Sequence, residues 1–239
     1  ETVDDFLATH GQSRFDQALA AARLPCVCNG EWRARAEQAL LLNGIEAKKF
    51  FADVFLRLRE GCGEHVPVMV LMGRVGGEGK SFCLSPLREM YGPEHVQATP
   101  QRGSFPLLGL EKKKVALLDD WCFDESVLPL PTQLLWYEGK AFPINRPQNN
   151  GSYEGHALYQ GTAPVFVTAK EKDLAPVMEK AQLAVLNDMP SEHTMLLRRL
   201  HIYHFWCPLP SRAAGAPKIQ PCPACLAKLA LRPGRSTGQ

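Results

Sequence analysis

The stretch Gly73-Arg74-Val75-Gly76-Gly77-Glu78-Gly79-Lys80-Ser81 follows the apolar run Pro67-Val68-Met69-Val70-Leu71-Met72 and precedes Phe82-Cys83-Leu84-Ser85-Pro86-Leu87. That order reads as strand, glycine-rich turn, helix. A ligand carrying several negative charges, such as a triphosphate, needs backbone N–H groups turned inward, and glycine permits this because it lacks a Cβ. A helix beginning near Gly79 adds the positive end of its dipole. In that frame Lys80 is a point charge for the β- and γ-phosphates, and the Ser81 hydroxyl is a ligand for Mg²⁺. The glycines depart from the spacing G-x-x-x-x-G-K-[ST], because Arg74 stands at the first glycine position and Gly73 lies one residue further back. Two geometries satisfy this: a loop one residue longer, or a turn supplied by Gly76 and Gly77. The cradle is accordingly assigned to Gly73, Gly76, Gly77, Gly79, Lys80 and Ser81, with ATP and Mg²⁺ as its ligands.

A second segment supplies acids. Lys112-Lys113-Lys114-Val115-Ala116-Leu117-Leu118-Asp119-Asp120-Trp121 is an uninterrupted apolar run bounded by charge. Such a run reads as a buried parallel strand, and its carboxyl end is where α/β sheets place ligands. Asp119 is expected to hold Mg²⁺, directly or through water, and Asp120 to orient or deprotonate an attacking water. A third buried strand, Ala163-Pro164-Val165-Phe166-Val167-Thr168-Ala169-Lys170, places Thr168 or Lys170 toward the γ-phosphate. Arg198 and Arg199 follow a helical stretch, and one of them is the candidate for stabilising charge on a transferring phosphoryl group, in the same subunit or a neighbour's.

The rest of the chain sets the organisation. With 239 residues it can bury a full core, and 45% hydrophobic with 22% charged residues describes a globular protein. A net charge of +2 gives no global footprint for nucleic acid, so any contact with it must be local. No apolar run approaches the ~18 residues of a membrane span. Because the first residue is Glu1, the chain is expected to be a piece of something longer. Residues 1–60 read as a helical segment, with periodic apolar positions at Phe6, Leu7, Phe15 and Leu19, then Trp32 to Leu40 and Phe50 to Leu58. Residues 61–206 form the core, in which Pro86 is expected to kink or break its helix. Residues 207–239 form a small extension ending in a flexible tail.

Two further constellations are local. Lys140 and Arg146 flank apolar and aromatic residues in a turn and hairpin across Trp136 to Pro147, a layout suited to gripping a phosphate backbone. A polar loop, Gln148 to Gly155, follows. In the extension, His204-x-x-Cys207 and Cys222-x-x-Cys225 have the separation of a four-ligand zinc site, with His201 as a substitute for His204. Phe205 and Trp206 allow the alternative that this strand is buried core. Cys26 and Cys28 read as packing rather than as ligands. The eight scattered cysteines suit a reducing, intracellular compartment.

The series Gly-Lys-Ser, Leu-Leu-Asp-Asp-Trp, Glu-Gly-Lys with Asn-Arg-Pro, Pro-Val-Phe-Val-Thr-Ala-Lys and Leu-Leu-Arg-Arg-Leu resembles the superfamily 3 helicases over about residues 50–205. These are the AAA+ motors of replication initiators in parvoviruses, circular single-stranded DNA viruses and related mobile elements. The resemblance implies a P-loop NTPase core of the AAA+ type, a parallel sheet flanked by helices. It also implies ATP and Mg²⁺, a homo-oligomeric ring, commonly hexameric, and translocation on single-stranded DNA. For a chain of viral or mobile-element origin it implies the nucleus of a eukaryotic host. By position, Lys80 and Ser81 match the Walker A pair, Asp119 and Asp120 the Walker B acids, Lys140 the DNA-contacting lysine region, and Arg198 or Arg199 the arginine finger. Lys170 stands where the family has a sensor asparagine. A nucleotide-dependent switch without unwinding, and a zinc-containing DNA-binding module, are the competing expectations.

Overall fold

The computed structural model describes residues 13–147, 155–189, 191–212 and 215–231. Phe6 and Leu7 of the expected first helix, loop positions 148–154 and the tail at 232–239 lie outside the described residues. Within them are the helices α1 (Arg14–Ala21), α2 (Glu31–Leu42), α3 (Ala47–Glu60), α4 (Lys80–Tyr91), α5 (Leu130–Tyr137), α6 (Glu171–Leu186), α7 (Glu192–Arg198) and α8 (Pro223–Ala230). The strands are β1 (Val68–Gly73), β2 (Val96–Gln97), β3 (Val115–Leu118), β4 (Phe142–Asn145), β5 (His156–Tyr159), β6 (Val165–Lys170) and β7 (Leu200–Phe205). Five of them form one parallel sheet in the order β2-β3-β6-β1-β7, while β4 and β5 pair as an antiparallel hairpin inserted between β3 and β6.

Strands buried on both faces need apolar residues at every position, which is why β1 and β3 read as continuous runs. Alternate β1 side chains divide the core. Met69 and Leu71 pack with α1 to α4 and α8, and Val68, Val70 and Met72 pack with α5 to α7 and the hairpin. The fold is therefore a three-layer α/β core, a five-stranded parallel sheet flanked by helices on both faces. The first and last of the described helices, α1 and α8, share one of its layers.

The expected break at Pro86 does not occur; α4 runs unbroken from Lys80 to Tyr91. Proline has no N–H for the carbonyl four residues back, which is that of Phe82. The Phe82 carbonyl instead accepts from the Trp32 indole N–H at 3.1 Å and the Ser85 hydroxyl at 2.8 Å. The orphan acceptor is satisfied, so the helix continues and carries Lys80 and Ser81 on its first turn. Gly73 is in register with Lys170, and Leu118 with Val167, which brings the loops after β1, β3 and β6 to one sheet edge.

Candidate functional site

The loop after β1 is an anion cradle. Gly76, Gly77 and Gly79 take φ of +107°, +77° and +91°, a region open to glycine. Gly73 is required for space, since a Cβ there would lie 2.4 Å from Lys80 Nζ and 2.9 Å from Glu78 Cδ. The internal glycines Gly76 and Gly77 supply the turn between Gly73, the last residue of β1, and Gly79. Arg74, in the usual glycine position, turns outward to pair with Glu171 at 3.2 Å and to stack over Trp206 at 4.5 Å.

The cradle holds a carboxylate of its own chain. Glu78 Oε1 accepts the backbone N–H groups of Arg74 and Val75, each at 2.9 Å, and of Gly76 at 3.0 Å. Its Oε2 accepts Lys80 Nζ at 2.8 Å. Both side chains are buried, at 0% and 6% exposure. Burial alone would push the Glu78 carboxyl up. The Lys80 ammonium and the N–H groups of Gly76, Val75 and Glu78 itself outweigh it and hold the group at about 2. Glu78 was not singled out as a site residue from sequence, although a carboxylate inside a glycine-rich anion loop is itself a signal.

The acids after β3 face this loop. Asp119 Oδ1 accepts the Ser81 hydroxyl at 2.6 Å and the Thr168 hydroxyl at 2.5 Å, and Thr168 Oγ1 in turn accepts the Asp120 N–H at 3.0 Å. Thr168 is thus engaged by the two aspartates, leaving Lys170 as the β6 residue that faces the cleft. Asp120 sits at φ +49°, a strained backbone for a non-glycine residue. Asp120 and Lys170 line, with the cradle, a cleft of about 640 Å³. Ser81 and Asp119 form a pair of hard oxygen donors of the kind Mg²⁺ takes.

Other expected residues lie elsewhere. Leu200 is in register with Val68 and Phe205 with Gly73, so Arg199 sits at the opposite end of the sheet from the cradle, about 20 Å away along the strand. It donates to Glu138 Oε1 from Nε at 3.0 Å and from Nη2 at 2.5 Å. Arg198 is exposed and makes no ion pair among the described residues. Neither arginine lines the cleft of its own chain. Lys140 pairs with Glu138 at 2.5 Å, and Arg146 with Glu111 at 2.7 Å. Both cations expected on DNA are therefore met by carboxylates in the hairpin region.

The expected ligand set His204, Cys207, Cys222 and Cys225 is corrected. Cys222 and Cys225 lie beside Cys26 and Cys28, and the four sulfurs are all within 4.8 Å of one another. His204 and Cys207 are exposed at the end of β7 and beyond, where the Cys207 N–H donates to Asn43 Oδ1 at 2.8 Å. Phe205 between them is fully buried, which fixes the strand as core. The cluster of four cysteines is able to hold a metal ion such as zinc.

No protein-family model matches the chain, and no curated protein matches it. Among solved structures the chain is similar to the A-form apo structure of the NrS-1 C-terminal region, at 13% sequence identity and a TM-score of 0.50, covering 82% of this chain and 44% of that one. The likeness is one of fold. A second structure, of residues 305–718 of the same region, matches at 14% identity with a TM-score of 0.49. The present chain therefore spans less than half the length of those it matches. No helix among the described residues is long and apolar enough to cross a membrane.

Proposed function

We propose that this chain is an ATP-hydrolysing motor module that acts on single-stranded DNA, of the kind the superfamily 3 resemblance implies. The observation that carries the reading is the Glu78 carboxylate held by three loop N–H groups and Lys80, because donors that converge on one anion are suited to a phosphate. The pairing of Ser81 with Asp119 across the cleft supports it.

In this mechanism Glu78 leaves the cradle, and the loop N–H groups with Lys80 take the β- and γ-phosphates of ATP in its place. Ser81 and Asp119 would hold Mg²⁺, which when bound would neutralise the charge that develops on the phosphate oxygens. Asp120 orients the attacking water and accepts its proton, and Lys170 compensates charge at the γ-phosphate from the other wall of the cleft. Since Arg198 and Arg199 stand at the far end of the sheet, the arginine that completes a site comes from a neighbouring subunit, as a ring assembly requires. The hairpin of β4 and β5 carries Lys140 and Arg146 toward DNA, which competes with Glu138 and Glu111 for them.

Steady-state ATPase activity with and without single-stranded DNA tests this. Lys80→Ala and Asp120→Asn are expected to abolish a DNA-stimulated turnover; turnover indifferent to both would sink the proposal. A nucleotide switch with little turnover is the second reading, favoured by Lys170, whose ammonium cannot accept a hydrogen bond from water as an amide does.

A further inference from the structure

The nucleotide reading does not use the cysteine cluster, and the cluster lies at one end of a segment that the cleft does use. Cys26 and Cys28 sit in the turn between α1 and α2, and Cys222 and Cys225 sit at the N-cap and in the first turn of α8, nearly two hundred residues away. The sulfur separations are 3.5 Å for Cys26 to Cys28, 3.4 Å for Cys26 to Cys225, 3.6 Å for Cys28 to Cys225 and 3.9 Å for Cys26 to Cys222. Four thiolates about 2.3 Å from a tetrahedral Zn²⁺ stand about 3.8 Å apart, so these separations are the edges of such a tetrahedron. All four cysteines are free thiols, and three are buried. Four close-packed thiols gain little from one another, because an S–H is a weak donor and sulfur a weak acceptor. A divalent soft-to-borderline metal accounts for the convergence; a disulfide would join only two of them.

The second observation concerns what lies just before Cys222. The segment after β7 is fastened over the phosphate loop at its start: the Leu209 N–H donates to the Gly77 carbonyl at 2.9 Å, and the Arg35 guanidinium donates to the Pro210 carbonyl. Further on, Lys218 and Ile219 line the main cleft beside Lys80 and Ser81, and they also line the adjoining cleft of about 340 Å³ that reaches Asp119 and Thr168. Lys218 makes no ion pair among the described residues and is four positions from Cys222, the cap residue of α8. Only three residues separate it from Cys222, so the chain between the cleft wall and the cluster is short.

We propose that Cys26, Cys28, Cys222 and Cys225 bind one Zn²⁺, and that this metal fixes Lys218 and Ile219 as the outer wall of the nucleotide cleft. The first half stands on the sulfurs alone; the second rests on the nucleotide reading given above. Ligation releases the thiol protons to solvent, so affinity for the metal falls as pH falls. The site is a staple between the first and last helices of one layer, with a cation of the cleft mounted on it.

The test uses the full chain. Metal content of the purified protein is measured by elemental analysis, and Co²⁺ exchanged into the native chain is examined for thiolate-to-cobalt charge transfer at the intensity of four sulfurs. The expected result is one zinc per chain and a tetrathiolate cobalt spectrum. The metal is lost in Cys26→Ser/Cys28→Ser and in Cys222→Ser/Cys225→Ser but retained in Cys207→Ser. Because a double variant can fail to fold, the cobalt spectrum of the unmutated chain carries the ligand assignment independently. A fluorescent ATP analogue is then titrated against the zinc-loaded and chelator-stripped wild-type chain, and stripping is expected to weaken binding by about tenfold, the scale on which supporting shells act. Absence of stoichiometric metal, or retention of it in Cys26→Ser/Cys28→Ser, overturns the site. Equal nucleotide affinity with and without zinc overturns the wall. A chain that holds zinc on four sulfurs yet binds no nucleotide overturns the nucleotide reading and supports the metal site.

Discussion

Replacing Glu78 by alanine separates an anion cradle from a structural salt bridge. The Glu78 carboxyl sits at about 2 against an ordinary 4.5. At ~1.4 kcal/mol per pKa unit that is about 3 kcal/mol of preference for the ionised, cradled form. A carboxyl depressed in the folded state stabilises it fully above the ordinary value and loses that contribution as pH falls through 4.5 toward 2, so at pH 7 to 8 the whole effect is present. An incoming phosphate must displace this carboxylate, and the apparent affinity is reduced by the fraction of loops in which the cradle is free. Removing the competitor is therefore expected to tighten ATP binding by at least about tenfold, with about a hundredfold as the ceiling that 3 kcal/mol sets. The same change leaves the Lys80 ammonium, 6% exposed, without its partner in the ligand-free protein. Breaking a buried pair from one side costs about 3 kcal/mol, which for a chain of this size lowers Tm by about 6 to 12 °C. Glu78→Ala is thus expected to melt earlier than wild type when empty and to regain the difference with ATP. Calorimetric titration and thermal melts with and without ATP measure both arms. Unchanged or weaker ATP affinity in Glu78→Ala, alongside a lowered Tm, would show that the carboxylate does not occupy the phosphate position.

Gly73→Ala is expected to lower stability by about 3 kcal/mol and to weaken ATP binding by about tenfold or more, because the new Cβ would lie 2.4 Å from Lys80 Nζ and 2.9 Å from the Glu78 carboxyl, the buried pair that lines the cradle; equal melting and equal binding in a titration would refute this. Trp32→Phe and Ser85→Ala each remove one donor from the Phe82 carbonyl and are expected to cost about 1 kcal/mol in denaturant unfolding. The double variant should exceed the sum, since it leaves a buried acceptor unpaired inside α4.

The parts of the fold legible in the sequence were those written in adjacent residues. Val68 to Met72 and Val115 to Leu118 are apolar at every position because both faces are covered, and that pattern placed Asp119 and the glycine-rich loop leading to Ser81 at strand ends. Their meeting at 2.6 Å follows from the parallel order of β1, β6 and β3. The continuity of α4 was not legible, because the donor that rescues the Phe82 carbonyl belongs to Trp32, fifty residues upstream. The orientation of Arg199 was not legible either. Its neighbours in sequence say that a strand follows, while its partner Glu138 is fixed by how α5 packs.

The cysteines make the same point most sharply. Cys207 and Cys222 sit at a spacing that zinc knuckles use, and Cys26-x-Cys28 has no partner nearby in sequence, so local spacing favours the wrong set. The choice is decided by burial. Phe205 must face the core in β7, which turns His204 outward, whereas Leu226 and Leu229 of α8 must cover the layer that α1 and α3 leave open. Docking α8 there carries Cys222 and Cys225 to the turn that follows α1, and the four-cysteine cluster is a consequence of where two amphipathic helices find their apolar partners. A metal bound at that point, as proposed above, would hold together two segments that lie nearly two hundred residues apart in sequence, Cys26 to Cys28 and Cys222 to Cys225.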